Sequence, residues 1–108
     1  LRDFVHPADV AEAIEHSIES LPRRGLNIYN VGSGQGKTVK EILKMLEKQT
    51  GRPVPVRSEK PRPGNPLHLV ANITKIQRDL KWAPRFSLNQ ILNTTLQWMK
   101  THPQGYRN

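Results

Sequence analysis

The chain has 108 residues, 35% of them apolar, with 17 Lys and Arg against 9 Asp and Glu for a net charge of +8, and it has no cysteine. That length suits one domain with a modest core, and the missing thiols exclude disulfides, thiolate metal sites and cysteine nucleophiles. No stretch approaches the roughly 18 apolar residues of a membrane span, and no secretory signal is present, so a cytoplasmic protein without a membrane segment is the expectation.

Leu1 to His6 is short and partly apolar, as a strand would be. Pro7 suits the first turn of a helix, where its missing N–H costs nothing, and Asp9 and Glu12 follow at the positive helix end. Val10, Ile14, Ile18 and Leu21 recur at spacings of three and four, which predicts an amphipathic helix closed by Pro22-Arg23-Arg24-Gly25.

Leu26, Ile28 and Val31 predict a second strand, feeding the loop Gly32-Ser33-Gly34-Gln35-Gly36-Lys37-Thr38. The loop ends in Gly-Lys-Thr but is one residue short of the phosphate-binding G-x-x-x-x-G-K-[ST], and its glycines run G-x-G-x-G, one short of the dinucleotide fingerprint. A tight strand-to-helix turn fits this spacing better than a phosphate cradle, although both readings stay open. Thr38 and Glu41 form a capping box before a second helix carrying Val39, Ile42, Leu43 and Leu46, with Gly51 placed to end it in a left-handed conformation.

Residues 53–57 predict an irregular or edge strand, since two prolines bar them from a sheet interior. The loop Lys60-Pro61-Arg62-Pro63-Gly64-Asn65-Pro66 is stiff and basic. Arg62 offers a planar fork for phosphate oxygens, and Asn65 offers both a donor and an acceptor; an exposed loop without function fits equally well. Asn72 can cap a third helix carrying Ile73, Ile76 and Leu80. Ser87 and Gln90 form a second capping box, and Phe86 and Ile91 stand at hydrophobic-staple positions. Leu88, Ile91, Leu92, Thr95, Leu96 and Met99 predict the inner face of the fourth helix. The expected fold is α/β, with about four helices and three short, mainly parallel strands. Three short strands leave sheet edges that a partner or a missing half would have to cover.

No pattern of catalytic side chains stands out. The four histidines, at 6, 16, 68 and 102, lack metal-ligand spacing, and no carboxylate pair suggests general acid–base work. The positive charge suits an anionic partner such as a nucleotide, an acidic protein or nucleic acid. With 2 Trp, 2 Tyr and 2 Phe the chain is poor in stacking residues, which argues against single-stranded nucleic acid.

Several segments together resemble the extended short-chain dehydrogenase/reductases, and within them the UDP-glucose 4-epimerases. These segments are Arg2-Asp3-Phe4-Val5-His6, Asp9-Val10-Ala11, Tyr29-Asn30-Val31-Gly32-Ser33-Gly34, Arg62-Pro63-Gly64-Asn65, Lys81-Trp82-Ala83-Pro84, and the tail from Trp98 through His102-Pro103 to Tyr106. Their order covers nearly the whole chain. The resemblance implies that residues 1–108 form a single unit, the C-terminal, nucleotide-sugar-binding portion of a Rossmann-type epimerase. It implies NAD as the cofactor of the intact enzyme, which interconverts UDP-glucose and UDP-galactose by transient hydride transfer. Neither the NAD fingerprint nor the Tyr-x-x-x-Lys pair of that family is in this chain, so no catalytic or cofactor-binding residue is assigned, and the chain alone is expected to be inactive. Arg2 and Arg62 are implied as contacts to the nucleotide diphosphate. Position 65, Asp in the family and Asn65 here, is implied as a ribose contact. The family also favours Asp at position 72 and an apolar residue at position 7. The implied partners are a UDP-sugar and either an N-terminal dinucleotide-binding half or a second copy. A stand-alone anion- or protein-binding module is the alternative.

Overall fold

A computed structural model describes residues 1–21, 25–60 and 62–106. Pro22, Arg23 and Arg24 of the expected helix stop, and Pro61 of the proline loop, lie outside the described residues. In chain order the elements are β1 (Arg2–Asp3), α1 (Pro7–Glu19), β2 (Gly36–Lys37), α2 (Val39–Thr50), α3 (Thr74–Leu80) and α4 (Leu88–Thr101).

The helices begin where local chemistry dictates. Pro7 occupies the first turn of α1, and the His6 ring caps it by accepting from the Ala8 N–H at 3.0 Å. Thr38 and Glu41 close a reciprocal capping box on α2, as do Ser87 and Gln90 on α4. Gly51 ends α2 at φ 66°. Asn72 accepts from the Thr74 N–H at 3.0 Å, so its cap acts one residue before the formal α3 boundary at Ile73. Lys81 ends α3 at φ 54°, a left-handed position that glycine would occupy with less strain.

Four helices, the α/β class and a strand within residues 1–6 match the expectation, but among the described residues the sheet has two strands instead of three, its second strand is Gly36–Lys37, and the pairing is antiparallel instead of mainly parallel. Among the described residues, 26–31 and 53–57 join no sheet, and β1 pairs antiparallel with β2 through Arg2↔Lys37 and Asp3↔Gly36. One parallel bridge, Arg2↔Leu69, flanks β1 on its other side. The physical reason is local. The Asp3 carboxylate grips the loop at Ser33 and Gly34, so the chain leaving the loop runs back beside β1. Residues 26–31 precede that grip and have no neighbouring strand to complete a ladder.

The core centres on Trp82, 2% exposed, packed with Ala13, Ile76 and Leu80 and edged by Tyr29, Val31 and Ile73. Asp9 lies beside it, 1% exposed. Its backbone carbonyl accepts from Trp82 Nε1 at 3.0 Å, and its carboxylate accepts from the Arg85 and Phe86 N–H groups at 3.0 and 3.2 Å. Asp9 therefore does more than answer the helix dipole, since it moors α1 to the segment that leads into α4. Nearby, Arg85 Nε lies 3.1 Å from Glu12 Oε2 without the alignment of a hydrogen bond, so that contact is ionic only.

Of the apolar stripe predicted for α1, Val10 is half-buried and the rest does not face this core. Ile14, Ile18 and Leu21 are exposed, while the small Ala13 and Asp9 point inward. Trp82 fills the space beside α1, so the inner face needs a small residue. The bulkier stripe is left outside with Leu26 and Ile28. Ile91 and Leu92 of α4 are buried as expected, whereas Thr95 and Met99 lie exposed.

Candidate functional site

The loop from Gly32 to Gly36 binds an anion, and that anion belongs to the chain itself. The Asp3 carboxylate accepts from the Ser33 N–H at 2.8 Å, the Gly34 N–H at 3.0 Å and the Ser33 hydroxyl, and from the Ala71 N–H at 3.1 Å. Burial pushes the Asp3 carboxyl up, but the hydrogen bonds from Ser33, Ala71 and Gly34 outweigh it and hold the group below the usual carboxylate range. The spacing of the glycines also has a packing cause. A Cβ on Gly32 would lie 2.6 Å from both Ala71 Cβ and Asp3 Oδ2, and one on Gly36 would lie 2.8 Å from Val70. Lys37 belongs to β2, with Nζ 3.7 Å from Glu41 Oε1. With the amides of residues 33 and 34 engaged inside the chain, the loop does not fit the pyrophosphate of NAD. The open choice between turn and cradle resolves to a turn.

The Asp3 grip places Arg2 beside the proline loop. Arg2 Nη1 donates to the Leu1 and Pro66 carbonyls at 2.8 and 2.9 Å, and Nη2 donates to Asn65 Oδ1 at 2.5 Å. Two of the three residues singled out in the sequence, Arg2 and Asn65, are thus in direct contact although 63 positions apart. Arg62, the third, is exposed and sits on the same turn. The Asn65 N–H donates to the Arg62 carbonyl at 3.2 Å, and Gly64 at φ 78° allows the reversal. The arrangement is a surface of planar cationic and amide donors, able to hold phosphate oxygens through paired charge-assisted bonds. An open groove of about 670 Å³ adjoins it, lined by Arg2, Tyr29, Asn30, Leu69 and Val70 among others. A smaller groove, about 330 Å³, lies between Phe4, Lys37 and Phe86, away from the Arg2–Asn65 contact.

Sequence reasoning missed Asp3, the residue that organises this site. Its only signal was its place beside Arg2, because no spacing rule links a carboxylate to backbone amides 30 positions away. His6, His16 and His102 make structural contacts. His6 Nδ1 accepts from Ala8, so its Nε2 carries the proton donated to Thr94 Oγ1 at 3.0 Å, and the ring stacks on Phe86 at 4.0 Å. His16 Nδ1 pairs with the Leu80 carbonyl at 3.0 Å, and His102 stacks on Trp98. Among the described residues no group of His, Asp and Glu is arranged to hold a metal ion, and no helix is long and apolar enough to cross a membrane.

No protein-family profile matches the chain. Individual relatives do. The chain is 36% identical over 107 residues to a probable UDP-arabinose 4-epimerase 3 of Arabidopsis thaliana, across 98% of its own length and 26% of the relative's. It is 35% identical over 108 residues to a UDP-glucose 4-epimerase of Halalkalibacterium halodurans, across 98% of its length and 32% of the relative's. The crystal structure of UDP-glucose 4-epimerase from Bifidobacterium longum in complex with NAD+ and UDP superposes with a TM-score of 0.90 at 30% identity, over 97% of this chain and 31% of that one. The chain therefore spans roughly a quarter to a third of the length of the proteins it matches.

Proposed function

We propose that this chain, homologous along nearly all its length to one portion of the nucleotide-sugar 4-epimerases, is the part that grips the diphosphate of a UDP-sugar. Residues 1–108 act as a single nucleotide-sugar-binding unit of a C-terminal kind. Arg2 and Arg62 supply charge and directed N–H groups to the two phosphates, and Asn65 completes the surface. In the intact enzyme the remaining portion holds NAD and the catalytic pair, and the reaction interconverts UDP-glucose and UDP-galactose or an analogous pair of 4-epimers. Alone, the chain binds nucleotide and does not turn over.

One observation carries this reading: Arg2 and Asn65, both implied as ligand contacts by the resemblance and 63 positions apart, meet at 2.5 Å on the turn that bears Arg62. The exposed stripe Ile14, Ile18 and Leu21, continued by Leu26 and Ile28, supports the second half of the proposal. An apolar face of this extent, beside a segment without a strand partner, suits coverage by the rest of a longer protein.

Calorimetric titration with UDP tests the reading. Binding is expected, and Arg62→Ala weakens it about tenfold, the effect of one charge-assisted contact at an exposed position. Equal affinity in the variant would count against it. Epimerase turnover by the isolated chain with NAD and UDP-glucose would refute the claim that chemistry resides elsewhere.

A further inference from the structure

We propose that the outward face of α2 is a binding surface for the phosphate backbone of a duplex nucleic acid, carried by Lys40, Lys44 and Lys48. The surface lies on a different element from the diphosphate site above and stands independently of that reading.

The three lysines recur every four residues in a helix that turns about 100° per residue, so they fall within an arc of about 80°. Successive members stand about 6 Å apart along the axis, and the row is about 12 Å long. All three are exposed. Gln49, about half a turn round the helix from Lys40, donates from Nε2 to the Asn89 carbonyl at 3.1 Å. Ile42 and Leu46 are half-buried on that same side. The helix therefore meets α4 on one face and turns the lysine row outward.

The charge of the row is not spent within the fold. The two carboxylates of α2 stand on either flank of it, and each has another partner. Glu41 Oε2 accepts from the Thr38 N–H and hydroxyl at 2.8 and 2.9 Å, and its Oε1 lies 3.7 Å from Lys37. Glu47 Oε1 accepts from the Val54 N–H at 3.0 Å. Among the described residues none of the three lysines forms an ion pair. In a chain of net charge +8 the row adds to a field that attracts polyanions.

The shape of the patch selects the partner. A single file of ammonium groups bordered by carboxylates matches a line of phosphates. An anionic bilayer is a plane, and would press Glu41 and Glu47 against like charge. The helix has no aromatic residue on which an unpaired base could stack, which favours a duplex over a single strand. It has no arginine fork, and its one amide side chain is turned to Asn89, so base edges go unread and binding is independent of sequence. Each ammonium, a compact charge on a flexible stem, neutralises one phosphate.

Fluorescence anisotropy of a labelled duplex DNA of about 20 base pairs, read between about 50 and 200 mM salt with the 108-residue chain, tests the proposal. Wild type is expected to bind two unrelated sequences within about threefold of each other, and more weakly as salt rises. Lys44→Gln with Lys48→Gln should lower affinity about tenfold or more at about 50 mM salt, and flatten the slope of log affinity against log salt by about 2. Lys81→Gln with Lys100→Gln removes the same charge elsewhere and should cost less than about threefold, with circular dichroism verifying the fold of each variant. No duplex binding by wild type at about 50 mM salt, an equal loss in the two double variants, or tighter binding of the single strand overturns the proposal. So does displacement of the duplex by polyglutamate as readily as by unlabelled duplex at equal charge, which would assign the row to an acidic protein.

Discussion

The inner face of α1 carries Asp9 and Ala13, each 1% exposed, whereas its outer face carries Ile14 and Ile18 at 56% and 63%. The polar residue is inside because each of its carboxylate oxygens accepts a backbone N–H, from Arg85 and from Phe86. The apolar residues are outside because, among the described residues, none covers them. One side of α1 is thus tied to Trp82 and to the start of α4, and the other side is open to solvent. The same division separates β1, knit by Asp3 to the glycine loop and to residue 71, from residues 26–31, which join no sheet.

Mutations can break this comparison. The largest effect belongs to Trp82→Ala, which empties the centre of the core and removes the Nε1 bond to Asp9; a loss of about 3–5 kcal/mol is expected in urea unfolding. Asp9→Ala strands the Arg85 and Phe86 N–H groups and should cost about 2–3 kcal/mol, measured the same way. Ile14→Ser with Ile18→Ser should change stability by less than about 0.5 kcal/mol each, as for exposed positions, while reducing binding of a hydrophobic dye. A loss as large as that from Asp9→Ala would show that the outer face is already packed in the free chain.

Asp3 adds a pH dependence. Its carboxyl is held below the usual range in the folded state, so the stability it contributes is fully present above pH about 4 and fades as the pH falls through the lowered folded value. Asp3→Asn should flatten that part of the acid unfolding profile and leave the profile above pH about 5 unchanged in shape. A modest gain is expected from Lys81→Gly. It relieves a left-handed residue at the α3 end and should stabilise by about 0.5–1 kcal/mol, read from the urea midpoint.

Much of the local structure was legible in the sequence. The capping boxes at Thr38 and Ser87, the Gly51 stop and Pro7 in the first turn each depend on residues within four positions of one another, where spacing determines contact. The nonlocal features were not legible. Periodicity identified an apolar stripe on α1 but carried no information about which neighbour it meets, and the sequence did not reveal that Trp82 would claim the opposite face. The strand expected at 26–31 has strand-like residues, yet a strand exists only where another backbone pairs with it. At the site, Arg62 stood out as a donor and Asn65 as both donor and acceptor on a stiff loop, and Arg2 through resemblance. The carboxylate that assembles them, Asp3, acts through backbone amides that every residue possesses, so no side-chain pattern announces it.

The claim that matters most is that the Arg2–Arg62–Asn65 surface holds a nucleoside diphosphate. Titrating UDP into the nitrogen-15-labelled chain while following backbone amide and arginine side-chain resonances tests it directly. The account predicts saturable shifts centred on Arg2, Arg62, Gly64 and Asn65, with the amides of Ser33 and Gly34 little changed because Asp3 holds them. Shifts centred on residues 32–38, with those at Arg2 and Arg62 unmoved, would contradict it.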